Sequence, residues 1–214
     1  MIMSARFIAR QLGHPSGAIG RWILGPLWNR RNRALNDVSL EQLALQADDR
    51  VLEVGFGGGY LLGRMSPLVT DGFIGGVDIS AAMVEQCRAR YRAVIQTGKL
   101  DLKAGTADRL PYPAAYFTKV VSVNSIFYWP DAPQSIRELS RVLRDGGCLV
   151  LCFTDRASLQ QKDFARHGLT LYTAGEVQQL LQAAGLQAIG ATSHTDRHRK
   201  FWCVTARNKI EEEA

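Results

Sequence analysis

Val51-Leu52-Glu53-Val54-Gly55-Phe56-Gly57-Gly58-Gly59-Tyr60 is the stretch whose reading decides the fold of this chain. It opens with β-branched and aliphatic residues interrupted only by Glu53, the composition of a strand buried on both faces. Glycines then carry the backbone through a sharp turn, and Tyr60 begins a helical segment that runs to about residue 68. A strand that enters a helix through glycines lets a ligand come close to backbone N–H groups. The next strand, residues 72–78, ends on Asp78, 19 residues after Gly59. A carboxylate at that place can accept hydrogen bonds from both hydroxyls of a ribose. Turn and acid together make a candidate site for a nucleoside-containing molecule.

Two kinds of ligand compete for such a site. A dinucleotide fingerprint Gly-x-Gly-x-x-Gly starting at Gly55 needs glycine at position 60, where Tyr60 stands. The pattern that fits is Glu53-x-Gly55-x-Gly57-x-Gly59. An acid two residues before the first glycine repels a pyrophosphate and suits a cationic amino-acid end. No Tyr-x-x-x-Lys pair occurs in the chain, which weighs further against hydride transfer.

Outward from this segment, short apolar runs alternate with helical stretches. Ser80 reads as the N-cap of a helix through Met83, Cys87 and Tyr91. Residues 100–103 and 119–123 read as strands, and 135–143 as a helix with Ile136, Leu139, Val142 and Leu143 at three-to-four spacing. Asp145-Gly146-Gly147 is expected to end that helix and turn into a strand over 148–153. A loop of about 18 residues, 154–171, then precedes a helix capped by Thr173. Residues 186–193 and 201–206 read as a hairpin, because the connection is too short for a helical crossover. The expected fold is α/β: a doubly wound, seven-stranded, mostly parallel sheet whose last strand is antiparallel. One domain, 46–214, follows an N-terminal helical lid over 1–45.

All the excess charge belongs to the N-terminal part. The chain carries +6 overall, and residues 1–36 hold six arginines and no acid, leaving twenty basic against twenty acidic residues elsewhere. Those arginines interleave with Trp22, Trp28 and aliphatic side chains. Two readings stay open, a lid packed on the domain and a contact with a membrane surface. Nucleic acid is disfavoured, since the basic character stops at residue 36. No 18-residue apolar span is present, Arg6 and Arg10 interrupt any signal-peptide core, and the expected location is the cytoplasm. Cys87, Cys148, Cys152 and Cys203 form no Cys-x-x-Cys pair and have no histidine at ligand spacing. They read as reduced core thiols, and no metal site is expected.

These motifs resemble the class I S-adenosylmethionine-dependent methyltransferases, in particular the small-molecule group that includes quinone methyltransferases. The likeness rests on Glu53-Val-Gly55-Phe-Gly57-Gly-Gly59, Val77-Asp78-Ile79-Ser80, the run from Ala104 to Tyr112, and Arg141-Val142-Leu143-Arg144-Asp145-Gly146-Gly147. It covers residues 50–153 closely and the closing hairpin by pattern. The resemblance implies S-adenosyl-L-methionine as cofactor and S-adenosyl-L-homocysteine as product. It places Gly55, Phe56, Gly57 and Gly59 under the methionine part, Glu53 at its amino group, Asp78 on the ribose, and Ile79 and Met83 beside the adenine. The family often has Gly-Asp-Ala where this chain has Gly105-Thr106-Ala107. The adenine contact then falls to Thr106, to Asp108 from two residues on, or to the Ala107 backbone. Asn124, at the end of a strand, is expected to touch the cofactor.

Methyl transfer from a sulfonium is an in-line displacement, so the protein's task is alignment and exclusion of water. A base is needed only where the acceptor must lose a proton. The acceptor is expected beyond the carboxyl ends of the strands, against Tyr128 and Trp129, with Trp22, His14 and His167 as further walls. His14, His167 and Tyr128 are the candidate catalytic groups, none of them singled out. The expected activity is methylation of a small, partly apolar or aromatic molecule. The alternatives are a membrane-associated lipid-headgroup or quinone methyltransferase and a non-catalytic nucleoside-binding module. Oligomeric state is not legible in the sequence.

Overall fold

Short apolar strands separated by helices can bury both faces only as a parallel sheet between two helical layers. The computed structural model, which describes residues 31–160 and 168–209, has that arrangement. Its strands are β1 (Arg50–Val54), β2 (Phe73–Asp78), β3 (Leu100–Ala104), β4 (Phe117–Val123), β5 (Leu143–Thr154), β6 (Gln187–Thr195) and β7 (Lys200–Arg207). They lie in the order β3-β2-β1-β4-β5-β7-β6. The first five pair in parallel, and β7 runs antiparallel to both β5 and β6. Six strands therefore share a direction and β7 alone is reversed, as the hairpin spacing required. The order changes direction between β1 and β4, the place where open α/β sheets form a crevice.

The helices are α1 (Arg33–Leu43), α2 (Tyr60–Met65), α3 (Ala81–Arg90), α4 (Arg92–Gln96), α5 (Ala132–Val142), α6 (Arg156–Gln160) and α7 (Ala174–Ala183). One face of the sheet meets Leu35 and Leu43 of α1, Leu61, Leu62 and Met65 of α2, and Met83, Val84 and Cys87 of α3. The other meets Ile136, Leu139 and Val142 of α5 with Val177 and Leu181 of α7. All four cysteines are free and buried.

Boundaries differ from expectation for identifiable reasons. Helix α2 stops at Met65, three residues early, because Pro67 has no N–H with which to continue it. Helix α5 begins at Ala132 because the Asp131 side chain accepts the Gln134 N–H at 2.8 Å, and Pro133 falls in the first turn, where its missing N–H is not needed. Asp145-Gly146-Gly147 is an irregular start to β5 rather than a turn ahead of it: Leu143 already pairs with Phe117, Gly146 has φ +68°, and the register then shifts. Ser80 and Thr173 cap α3 and α7 as expected, Thr173 within a reciprocal box with Glu176. The long connection after β5 contains α6, and its residues 161–167, with His167, lie outside the described residues.

Helix α1 falls within the segment expected to be a lid, yet Leu35 and Leu43 are fully buried against the sheet. Residues 1–30, with His14 and Trp22, lie outside the described residues. Among those described, no helix is long and apolar enough to cross a membrane.

The end of α1 is pinned by Lys119, which donates to the carbonyls of Leu43 and Ala44 and pairs with Asp49 at 3.0 Å. Asp49 also accepts from Thr118 Oγ1 at 2.6 Å and the Gln46 N–H at 2.7 Å. Burial opposes its charge, but these partners outweigh burial and hold the carboxyl below its ordinary range. Asp49→Asn should cost about 1.5–3 kcal/mol by removing the charged partner of the Lys119 ammonium, a fall of roughly 3–12 °C in thermal midpoint. The deficit should shrink as pH drops through the lowered carboxyl pKa, where the parent loses the same charge. Thermal unfolding of both proteins at pH 7 and pH 3 measures it.

Candidate cofactor site

At the carboxyl end of β1, Glu53 is 3% exposed on the face covered by α2 and α3. One of its oxygens takes the Leu62 N–H; the other, Oε2, has no hydrogen-bond partner among the described residues. Desolvation first, and then the nearby charge of Asp78, push its carboxyl up to about 8, against the Leu62 bond. At neutral pH Glu53 is mostly a neutral acid, and a cation beside Oε2 would favour its charged form.

Asp78 ends β2 at the opposite lip. Its Oδ2 accepts the Gly57 N–H at 2.7 Å and its Oδ1 the Ser80 N–H at 2.9 Å, so one carboxylate joins the glycine turn to the start of α3. The turn itself is shaped by close approach. A Cβ on Gly55 would lie 2.6 Å from the Ser125 Cβ. Gly57 has φ +50°, and a Cβ there would meet no atom within 4 Å. That open side is where a ligand can lie directly on the backbone.

Ile79, next to Asp78, is 39% exposed, unusual for a large aliphatic side chain here, and offers an apolar surface. The turn over 105–108 lies beside it, since Ala104 pairs with Asp78 and the Gly105 N–H bonds the Asp78 carbonyl at 3.1 Å. Within that turn Thr106 is exposed, Asp108 half-buried, and Ala107 packed into the core. Two residues expected at the cofactor turn inward instead. Phe56 is buried, and a Cβ on Gly76 would meet its ring at 2.9 Å; Met83 is 1% exposed in the core beneath α3. Both side chains shape the site from below and present no surface to it.

Asn124 has φ +54° and spends its amide on structure. Its Nδ2 donates to Asn32 Oδ1 at 2.9 Å, and its Oδ1 accepts from the N–H and hydroxyl of Thr154. Arg199, from the β6–β7 turn, completes this knot by donating to Asn32 Oδ1 and Thr154 Oγ1. Trp129 is buried with α5 in the core, whereas Tyr128 is half-buried and packs edge-on against Phe127. Burial alone raises the Tyr128 phenol above its ordinary value. It therefore keeps its proton at neutral pH and is available as a hydrogen-bond donor. Residues the sequence did not single out also shape the site: Ser122 and Ser125 hold the Val54 carbonyl, and Cys87, Arg90 and Tyr91 reach the glycine turn from α3. The open groove along Gln178, Gln182 and Ile189 lies at the β6 edge, away from this crevice.

A doubly wound sheet with a glycine turn at its switch point and an acid on each lip defines the nucleoside-cofactor class of α/β domain. A family profile described as a methyltransferase domain matches residues 52–151. The Bacillus subtilis methyltransferase YdaC is 28% identical over 86% of this chain and 97% of its own length. The 27-O-demethylrifamycin SV methyltransferase of Amycolatopsis mediterranei is 30% identical over 80% of this chain, which spans 66% of that enzyme. A solved S-adenosylmethionine-dependent methyltransferase from Aquifex aeolicus superposes with a TM-score of 0.68 over 85% of this chain and 95% of its own, at 18% identity, a likeness of fold. Residues 52–151 are a methyltransferase domain, and the fold around them is that of solved S-adenosylmethionine-dependent methyltransferases.

Glu53→Gln tests the buried acid without any ligand. The folded pKa lies above the unfolded one, so the parent loses stability as pH rises from about 4.5 to about 8. The glutamine protein should match the parent near pH 4.5 and exceed its thermal midpoint by a margin that widens to pH 8. Parallel curves would show that Glu53 does not carry this burden.

Proposed function

We propose that the chain methylates a small, partly apolar or aromatic acceptor, with S-adenosylmethionine held across the glycine turn. The observation that carries the cofactor assignment is Glu53: a fully buried carboxyl with an unpartnered oxygen, beside a turn whose Gly57 leaves open space. The ammonium of a methionine end supplies the missing positive charge and donor. Asp78, at the end of β2, takes the ribose hydroxyls. Ile79 and the 105–108 turn flank the adenine, with Thr106 or Asp108 as its polar partner. When bound, the cofactor supplies a methyl group already activated on a sulfonium, and the residues of the chain align and enclose it.

The acceptor half is the region of residues 126–129 and 169–172. Leu169, Leu171, Tyr172 and Tyr128 are partly buried there against the core, and the Thr170 N–H bonds the Phe127 carbonyl at 3.2 Å. This lining is apolar, with the Tyr128 hydroxyl as a polar handle for an acceptor oxygen or nitrogen. The relative that acts on demethylrifamycin supports a small-molecule acceptor. His14 and His167 stand as the candidate bases. Incubation with methyl-labelled cofactor and a metabolite extract, followed by mass spectrometry, identifies the acceptor. A label that never leaves the cofactor, despite tight binding, would turn the reading to the non-catalytic module.

Two binding measurements address the site. Asp78→Ala should weaken S-adenosylhomocysteine by about 1–3 kcal/mol, or 5- to 150-fold in Kd; unchanged calorimetric affinity removes Asp78 from the ribose. Binding at pH 7 should also release protons, approaching one per site, as Glu53 ionises against the ammonium. Titration in buffers of different ionisation enthalpy counts them, and Glu53→Gln should release none.

A further inference from the structure

Resting on that cofactor reading, we propose that Cys87, Arg90 and Tyr91 are positioning residues, a latch from α3 that sets the glycine turn for the amino-acid end of the ligand. Three consecutive carbonyls of the turn are each held by a different side chain. Cys87 Sγ donates to Gly57 O at 3.5 Å, Arg90 Nη1 to Gly58 O at 2.7 Å, and Tyr91 Oη to Gly59 O at 2.7 Å. The two sides of a planar peptide point oppositely, so drawing a carbonyl toward α3 turns the following N–H away from it.

A run of glycines has more backbone freedom to lose than any other sequence. Without restraint the turn would sample many shapes, and a ligand would have to select one at its own cost. The latch removes that freedom in advance. It also gives the glycines separate tasks. Gly57 has nothing within 4 Å of a notional Cβ, whereas a Cβ on Gly59 would lie 2.8 Å from Cys87 Sγ and 3.1 Å from the Tyr91 ring. Gly63, inside α2, answers the same demand: a Cβ there would lie 2.6 Å from Tyr91 Oη. Gly57 thus leaves room for the ligand, and Gly59 and Gly63 leave room for the latch. Burial pushes the Cys87 thiol up to about 12 and also raises the Tyr91 phenol, so both stay protonated donors at neutral pH.

Packing of α3 alone predicts a different outcome from a latch, and two ligands separate them. S-adenosylhomocysteine carries the amino-acid end; 5′-methylthioadenosine has the same adenine and ribose without it. Calorimetric titration of the full chain should find that Tyr91→Phe and Arg90→Met raise the Kd of the first by about 5- to 20-fold. The second should change less than about two-fold. Arg90→Lys, which keeps a cationic donor, should recover most of the loss. Equal weakening of both ligands, or of neither, overturns the latch, and thermal midpoints measured alongside identify a variant that has simply lost its fold. Wild-type protein that binds neither ligand overturns the cofactor reading itself, and the latch with it.

Discussion

The Asp78 carboxylate joins the turn after β1, through Gly57, to the start of α3, through Ser80. Each bond is a charge-assisted contact to a backbone N–H, which fixes position without depending on any neighbouring side chain. One carboxylate thereby ties the glycine turn to the start of the next helix. The same charge acts on Glu53, whose burial already disfavours ionisation. Two acids in one crevice, one of them fully buried, are a poor choice for stability alone. A strand residue with both faces covered is ordinarily aliphatic, as Val51, Leu52 and Val54 around Glu53 are. Such a local conflict between sequence and fold is expected where function imposes it.

How far the sequence disclosed this arrangement depends on the range of the interactions. The strand–turn–strand reading from Glu53 to Asp78 succeeded because its signals are local: β-branched runs, glycines and an acid at a strand end. Caps at Ser80 and Thr173 were legible for the same reason. The start of α5 was misplaced because the apolar spacing begins only at Ile136, while the cap that starts the helix is Asp131. Phe56 and Met83 show a second limit. Motif position gives the neighbourhood of a side chain, but the direction it points is settled by packing, here against Gly76 and under α3. Cys87, Arg90 and Tyr91 meet the glycine turn across about thirty residues, a separation at which no periodicity operates. A clue did exist in Gly63, since a glycine within a helix is unfavourable by about 1 kcal/mol against alanine and asks for a reason.

The two halves of the crevice are built by different means. On the cofactor side, backbone groups and two carboxyls do most of the shaping, within segments close in sequence. On the β4–β5 side, the knot of Asn32, Asn124, Thr154 and Arg199 draws together the root of α1, the ends of two strands and the terminal hairpin. Asn124 adopts φ +54° in this knot, a conformation asparagine tolerates better than most residues, and its three hydrogen bonds offset the strain. The knot makes a stiff floor from parts that are far apart in the chain. The first half is therefore legible from motifs close in sequence, whereas the second, assembled from distant segments, has to be read from its own side chains.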